Sequence, residues 1–344
     1  MIELAADEDA AALLFLEAGG ADRNLRREHD SLLGRLEHEL GEKAAADPGL
    51  GLGSLPPAAL LGGAAHIAAA RIMGGRVDAL AAVFDDLFAW VDSYRLPVDA
   101  DPPGMERWRE LGSLFPALPP TGEEVTGPLP SPRGRNALSG AAAAEARRGK
   151  ILTAVAQMVA AKGYRECGID DIVATAHVSR AAFYSHFASK EDAFLAAQTR
   201  GFQESIAAAV TGFSVAPTWP RRIWAGLREM LTFVAQHPAV ARTCLLETPA
   251  AGRTAIQRDH ENRMAYGLFL EEGFRSCDPP RLPSRLHTEA ITGAIFGLMR
   301  RQVLQGRGAA MLEVLAPAAF VTLAPFLGAL PALRFVEAEA QHPG

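Results

Sequence analysis

Between Ala144 and Ala197 the apolar and polar positions fall into four successive helical blocks. In the first, Ala144 to Lys162, residues Ile151, Val155, Met158 and Val159 lie at i, i+4, i+7 and i+8, which makes one apolar stripe, and Gly163 is the stop. A shorter block from Ile169 to Ala176 turns Ile172, Val173 and Ala176 to the same side. After a turn through His177 and Val178, the Ser179 hydroxyl caps a third helix reaching His186, with Val178, Phe183 and Phe187 as its inner face. The fourth opens at Ser189, with Asp192 three residues on in the capping-box position. Two helices joined by a three- to four-residue turn, the second capped and bearing exposed polar groups, have the shape that enters a major groove. Duplex DNA is the partner this pattern predicts.

The stretch GYRECGIDDIVATAHVSRAAFYSHFASKEDAF resembles the DNA-binding domain of the tetracycline-repressor (TetR/AcrR) family of bacterial transcription regulators. The resemblance implies that the helix starting at Ser179 is the recognition helix. It also implies that Arg180, Ala181 and Ala182 face base edges and that Ser179, Tyr184, His186 and Lys190 meet phosphates. The chemistry of the side chains agrees. Arginine pairs bidentately with guanine, alanines admit thymine methyls, and Lys190 stands beside a helix N-terminus that favours anions. Taken singly, each is an ordinary surface residue. Three positions depart from the family pattern. His177 stands where glycine is usual and positive φ is needed, Cys167 and Gly168 replace a common Thr or Ser cap, and Val173 replaces a frequent Ala.

Outside this block the pattern is helical throughout. Ala10 to Leu40, with a break at Gly19 and Gly20, Pro56 to Met73 and Arg76 to Tyr94 read as helices, the last with Leu80, Val83, Phe84, Leu87 and Val91 on one stripe and Asp85, Asp86 and Asp92 opposite. After Ala197 come Gly201 to Phe213, Arg221 to Gln236, Pro238 to Glu247, Thr254 to Phe274, Ser284 to Gln305 and Ala309 to Leu327. These fit the family's helical regulatory domain, whose last two long helices resemble a dimerising bundle. Trp224, Met230, Phe233, Cys244, Met264, Tyr266, Phe269 and Met299 suit either a ligand cavity or plain core, and core is the commoner fate of such residues.

The two ends also resemble each other. Phe15, Leu16 and Glu17 align with Leu245, Leu246 and Glu247; Arg23 with Arg253; Arg27, Glu28 and His29 with Arg258, Asp259 and His260; Gly63 and Arg71 with Gly293 and Arg301; Gly75 and Arg76 with Gly306 and Arg307. The nearly constant offset implies an internal repeat. The expected organisation is therefore all-α: residues 1–96 as a regulatory-domain copy without a helix-turn-helix, 97–138 as a linker, 139–198 as the DNA-binding domain, and 199–335 as the ligand-binding and dimerisation domain. Nine prolines between Pro97 and Pro132 mark the linker, within which Met105 to Phe115 is either spacer or a short amphipathic piece docking Trp108 and Phe115. Arg133, Arg135, Arg147, Arg148 and Lys150 then form either a basic arm toward phosphates or a minor groove, or an ordinary solvated linker.

Composition adds limits. Ala and Leu dominate the apolar half of the 344 residues, which favours helix. The net charge of −6 excludes a protein that coats nucleic acid along its whole surface, and residues 1–98 hold 16 acids against 8 basic residues, so the remainder is slightly basic. Cys167, Cys244 and Cys277 lack metal-site spacing and suit a reducing cytoplasm. No metal, cofactor, catalytic residue or signal peptide is expected. Val314 to Leu333 has no charge and is long enough to span a bilayer, but Pro317, Pro325 and Pro331 interrupt it; a helix buried at a subunit interface is expected instead. His29 beside Glu28 and His260 beside Asp259 point apart on a helix, and no GxSxG, HExxH or phosphate-loop pattern occurs.

The leading expectation is a cytoplasmic homodimeric regulator, paired through its C-terminal helices, that binds a palindromic operator and answers to a small-molecule effector. The alternative is a ligand- or partner-binding module without productive operator binding.

Overall fold

The computed structural model of the chain describes residues 23–46, 52–75, 84–97, 99–121, 140–276 and 283–342. The expected helix stretches 10–22 and 76–83, Arg133 and Arg135 of the basic arm, and Cys277 lie outside them. Every regular element among the described residues is helical. In chain order these are α1 (Arg23–Ala46), α2 (Pro57–Met73), α3 (Phe84–Asp92), α4 (Gly104–Ser113), α5 (Gly140–Lys162), α6 (Ile169–Ala176), α7 (Arg180–Tyr184), α8 (Lys190–Val215), α9 (Trp219–Gln236), α10 (Pro238–Arg242), α11 (Arg253–Met264), α12 (Glu271–Ser276), α13 (Arg285–Leu304), α14 (Leu315–Leu327) and α15 (Ala329–Gln341). Tighter or wider turns join several of them, notably a π-helical turn at Thr243–Glu247 and a 3-10 turn at Thr248–Ala251.

Two apolar cores form. The smaller gathers Ile151, Val155 and Val159 of α5 with Ile172, Phe183 and Phe194, and takes in Ala251 and Ala255 from the body behind it. The larger runs through nearly everything else. A single helix serves both: α8 places Phe194 in the small core and Phe202 and Ala209 in the large one. At 1.5 Å rise per residue a helix of this length is a lever of roughly 40 Å between the two. The sequence pattern divided it after Ala197; no residue in its middle breaks the helix, so it runs on unbroken.

The N-terminal elements do not stand apart. α2 lies along α13 with glycine against glycine, and a Cβ placed on Gly62 would sit 2.6 Å from the Gly293 carbonyl oxygen and 2.7 Å from the Gly297 Cα. Helices approach this closely only where side chains are missing. Trp90 of α3 is fully buried beside Gly63, and the Tyr94 hydroxyl donates to the Val321 carbonyl at 2.8 Å. In the proline-rich stretch, Trp108 and Phe115 are buried in the same core, with the Trp108 indole N–H donating to the Ser54 carbonyl. Ion pairs stitch the seam: Arg300 to Asp30 at 2.6 Å, Arg301 to Glu37 at 2.9 Å and Arg71 to Glu289 at 3.1 Å.

The uncharged run after Val314 is corrected in two ways. Gly308–Leu327 has the length and composition of a membrane span, yet most of it is covered, and what covers α14 is α9, α13, α15 and α4 of the same chain rather than a second subunit. The run is also not one helix. Gly328, at φ +87°, turns the chain so that α15 folds back along α14.

Candidate nucleic-acid interface

Short-range rules set the geometry of the small domain. α5 ends at Gly163, whose φ of +87° only glycine adopts without strain. Gly168 begins α6 without a capping side chain of its own. Asp171 compensates: its Oδ2 accepts the Gly168 N–H at 2.9 Å, and its Oδ1 receives Lys162 Nζ at 2.5 Å. The Lys162 ammonium, then the Gly168 N–H, hold the Asp171 carboxyl below its ordinary value. His177 closes α6 at φ 53°, ψ 45° and is the one non-glycine residue with positive φ among the described residues.

The Ser179 hydroxyl then accepts the Ala182 N–H at 3.1 Å and starts α7. This helix is shorter than the sequence pattern predicts, ending at Tyr184 instead of His186, because the backbone tightens into a turn with the His186 N–H on the Phe183 carbonyl. The Ser189 hydroxyl accepts the Asp192 N–H at 3.0 Å to start α8, while the Asp192 carboxylate reaches back to the Ala188 N–H, one residue beyond the expected Ser189.

α7 is anchored from below and open above. Phe183 is fully buried, with Phe187 packed against its ring. Arg180, Ala181 and Tyr184 are exposed, Ala182 and His186 are half-buried, and Ser179 is exposed with its hydroxyl engaged in the cap. Arg180 lies 3.1 Å from Asp170 of α6, with both side chains mostly in solvent. His186 Nε2 is enclosed without a hydrogen-bond partner among the described residues. Lys190 is the most committed of the expected phosphate groups. Its ammonium donates to the carbonyls of Tyr164 at 2.9 Å and Cys167 at 3.0 Å and lies 4.3 Å from the centre of the Tyr164 ring. Two of its three protons therefore hold the α5–α6 loop, and one remains for an anion.

A residue that the sequence pattern did not single out for chemistry ties this domain to the rest. Glu247 is almost wholly buried; its Oε2 accepts the Tyr164 N–H at 2.9 Å and its Oε1 accepts Arg26 Nη1 of α1 at 2.8 Å. One carboxylate thus links the α5–α6 loop, the π-helical turn and the N-terminal segment. Beside it, the Gln198 side-chain amide donates to Thr248 at 2.8 Å, which fastens α8 to the same segment.

Residues 151–197, which span this whole arrangement, match the family model described as bacterial regulatory proteins, tetR family. That segment carries the pattern of the tetR-family DNA-binding region. Among curated proteins, the chain is similar to the HTH-type transcriptional activator FasR of Mycolicibacterium smegmatis, 23% identical over 184 residues, or 53% of this chain and 73% of that one. Among solved structures it is similar to the fatty acid degradation regulator FadR from Bacillus halodurans (TM-score 0.46, 18% identity, 50% of this chain and 95% of that one). It is also similar to the transcriptional regulator FadR from Bacillus subtilis in complex with stearoyl-CoA (TM-score 0.45, 16% identity, 52% and 98%).

The aromatic and sulfur side chains offered as ligand-lining are mainly core. Trp224, Met230, Cys244, Tyr266 and Met299 are buried, and the space that Met230, Tyr266 and Phe269 border measures only about 40 Å³. Burial pushes the Cys244 thiol up to about 12, which keeps it a neutral, unreactive filler. Among the described residues no cluster of His, Cys, Asp and Glu has the makings of a metal site.

Proposed function

We propose that the protein is a ligand-responsive transcriptional regulator that grips a palindromic operator as a dimer, with repression relieved by a small apolar effector. The observation that carries this reading is α7 itself: a capped helix pinned by Phe183, with Arg180, Ala181 and Tyr184 turned to solvent at the end of the domain. On this reading Arg180, Ala181 and Ala182 read base edges, while Ser179, Tyr184, His186 and the free proton of Lys190 hold phosphates. Two such helices need a separation near one DNA turn, and an effector acts by changing that separation. The FasR relative is named an activator, so the sign of regulation belongs to the proposal and not to the family.

Residues 1–96 are proposed to be a regulatory-domain copy lacking its own DNA-binding helices. The seating of α2 on α13 supports a second reading, in which the copies pair inside one chain and leave each molecule a single helix-turn-helix. α13 and α14, the helices suited to chain pairing, are mostly buried within the chain, so a dimer of chains needs another face.

A footprint of the purified protein on the DNA upstream of its own gene, with its solution mass measured on and off that DNA, tests both. A protected palindrome with two chains bound supports the first reading. A monomer without salt-sensitive association with any duplex overturns it in favour of a ligand- or partner-binding module.

A further inference from the structure

The seam between the N-terminal segment and the body holds a second space that the DNA-binding reading does not use. It is a partly enclosed cavity of about 550 Å³ between α1 and α2 on one side and α11 and α13 on the other. That volume is within the range of small-molecule sites, and it exceeds the 40 Å³ space beside Tyr266 more than tenfold. Most of its wall is apolar, from Leu33 and Leu36 of α1 through Leu61 and Met73 of α2 to Ile256 and Phe296.

One part of the wall is different. His66 of α2 and His260 of α11 stack with ring centres 4.7 Å apart, and Arg263 and Asp259 pair beside them at 2.7 Å. His66 and Asp259 are buried, yet His66 Nε2, Asp259 Oδ1 and Arg263 Nε have no hydrogen-bond partner among the described residues. An enclosed polar atom without a partner has given up its water and received nothing in exchange. Three together, all bordering a cavity, mark a place built for a polar group that the described residues do not supply. Arg263, Arg300 and Arg301 border the cavity, each paired with one carboxylate (Asp259, Asp30 and Glu37), and the imidazoles of His29, His66 and His260 stand beside them; the Arg263 Nε keeps a donor to spare. After burial itself, the charges of Arg263 and His260 are what push His66 further from protonation.

We infer that this cavity binds an apolar molecule carrying one acidic head group, the head lying on His66, His260 and Arg263 and the body running between α1 and α2. Both halves of the chain are needed to form it. Occupancy has a short route to the DNA-binding domain, since Leu245 and Thr248 border the cavity and Glu247 between them holds the Tyr164 N–H. The coupling to DNA rests on the regulator reading above; the binding itself does not.

Calorimetric titration of the full chain, without DNA, with dodecanoate and hexadecanoate and with the matched alkanols tests the assignment. One acid per chain, bound at least tenfold more tightly than its alkanol, is the expected result. Ala69→Phe and Ile256→Trp, which fill the cavity from opposite sides, abolish uptake while the unfolding transition is kept. Should either fail to fold, His66→Gln keeps the volume and is expected to weaken the acid tenfold and leave the alkanol unchanged. Equal affinity for acid and alkanol, no uptake of any of the four, or unaltered affinity in the filled variants overturns the inference. A chain that takes up the acid but ignores duplex DNA keeps the cavity assignment and loses the regulator reading; a DNA-binding chain without uptake does the reverse.

Discussion

The guanidinium of Arg180 stands 3.1 Å from the carboxylate of Asp170, so the residue proposed to read a base is held by its own domain before DNA arrives. Both groups are largely solvated, and an exposed pair of this kind is worth well under about 1 kcal/mol, less than a bidentate contact to guanine supplies. Arg180→Ala is therefore expected to weaken operator binding by about 1–3 kcal/mol and to relax sequence preference at one position, as read by titrating a panel of single-base operator variants. An equal loss on every sequence would show that Arg180 contacts only the backbone.

Lys190 is expected to fail in two ways at once. Lys190→Met removes two charge-assisted hydrogen bonds to the Tyr164 and Cys167 carbonyls and the contact with the Tyr164 ring. Thermal unfolding of the variant is expected to show a loss of about 1–3 kcal/mol. If the third proton meets a phosphate, the slope of log affinity against log salt also falls by about one. A destabilised variant with an unchanged slope assigns Lys190 to loop support alone.

The DNA-binding domain was legible because its rules are local. Ser179 and Ser189 as caps, Gly163 and His177 as left-handed stops and the Phe183–Phe187 pair all act within a few residues, and each appears where the pattern put it. The local misses are small: α7 stops at Tyr184, the Asp192 carboxylate reaches Ala188 instead of Ser189, and the Asp171 cap on Gly168 comes from a side chain three residues downstream compensating for the glycine. The seam was not legible. Gly63 and Gly293 could be aligned as counterparts, but nothing in the chain says that one copy lies on the other. Small residues at a helix crossing look like any Ala- and Gly-rich stretch. Trp90, Glu247 and the His66–His260 stack take their roles from partners about 200 residues or more away, or, for Trp90, from a gap left by Gly63. α15 was missed because Ala329 continues an uncharged run, and only the Gly328 turn divides it.

Glu247 is the link whose removal separates the parts. Glu247→Gln keeps the shape but exchanges a carboxylate for an amide opposite Arg26, whose side chain is a quarter exposed. Because solvent reaches that side of the pair, the expected cost is about 1–3 kcal/mol, below that of a fully enclosed pair. Hydrogen exchange is the sharper readout: amides around Tyr164 and along α1 are expected to lose protection together. Loss in only one of the two would show that Glu247 does not join them.

Gly62 tests whether the two helices need contact at backbone distance. Any side chain there meets Gly293 and Gly297 backbone atoms that cannot turn aside. Gly62→Val is expected to cost at least about 1–3 kcal/mol from overpacking and to part α2 from α13, which differential scanning calorimetry reads as a lowered or split transition. Gly75→Ala, at a positive-φ turn with open space around it, provides the comparison: it strains one residue but leaves the crossing intact. A single unshifted transition in Gly62→Val would mean that the seam tolerates separation.

His66 gives the fold a pH dependence with a definite sign. Burial first, then the charges of Arg263 and His260, hold its imidazole well below the ordinary value of 6.5, so it is neutral in the folded chain. The unfolded chain takes up a proton near 6.5 and the folded one does not. Stability is therefore full above that pH and falls as the pH drops from 6.5 toward the depressed value, by at most about 1.4 kcal/mol per pH unit for one imidazole. Asp259, whose carboxyl is raised by burial against the pull of Arg263, works in the opposite sense at lower pH, so the wild-type slope alone does not isolate the histidine. Urea unfolding of the wild type and His66→Phe at pH 7.5 and 5.5 does, since the phenyl ring fills the site without titrating. The wild type is expected to lose more stability than the variant between those two values. Equal losses would mean that His66 meets its proton in the folded chain as readily as in the unfolded one.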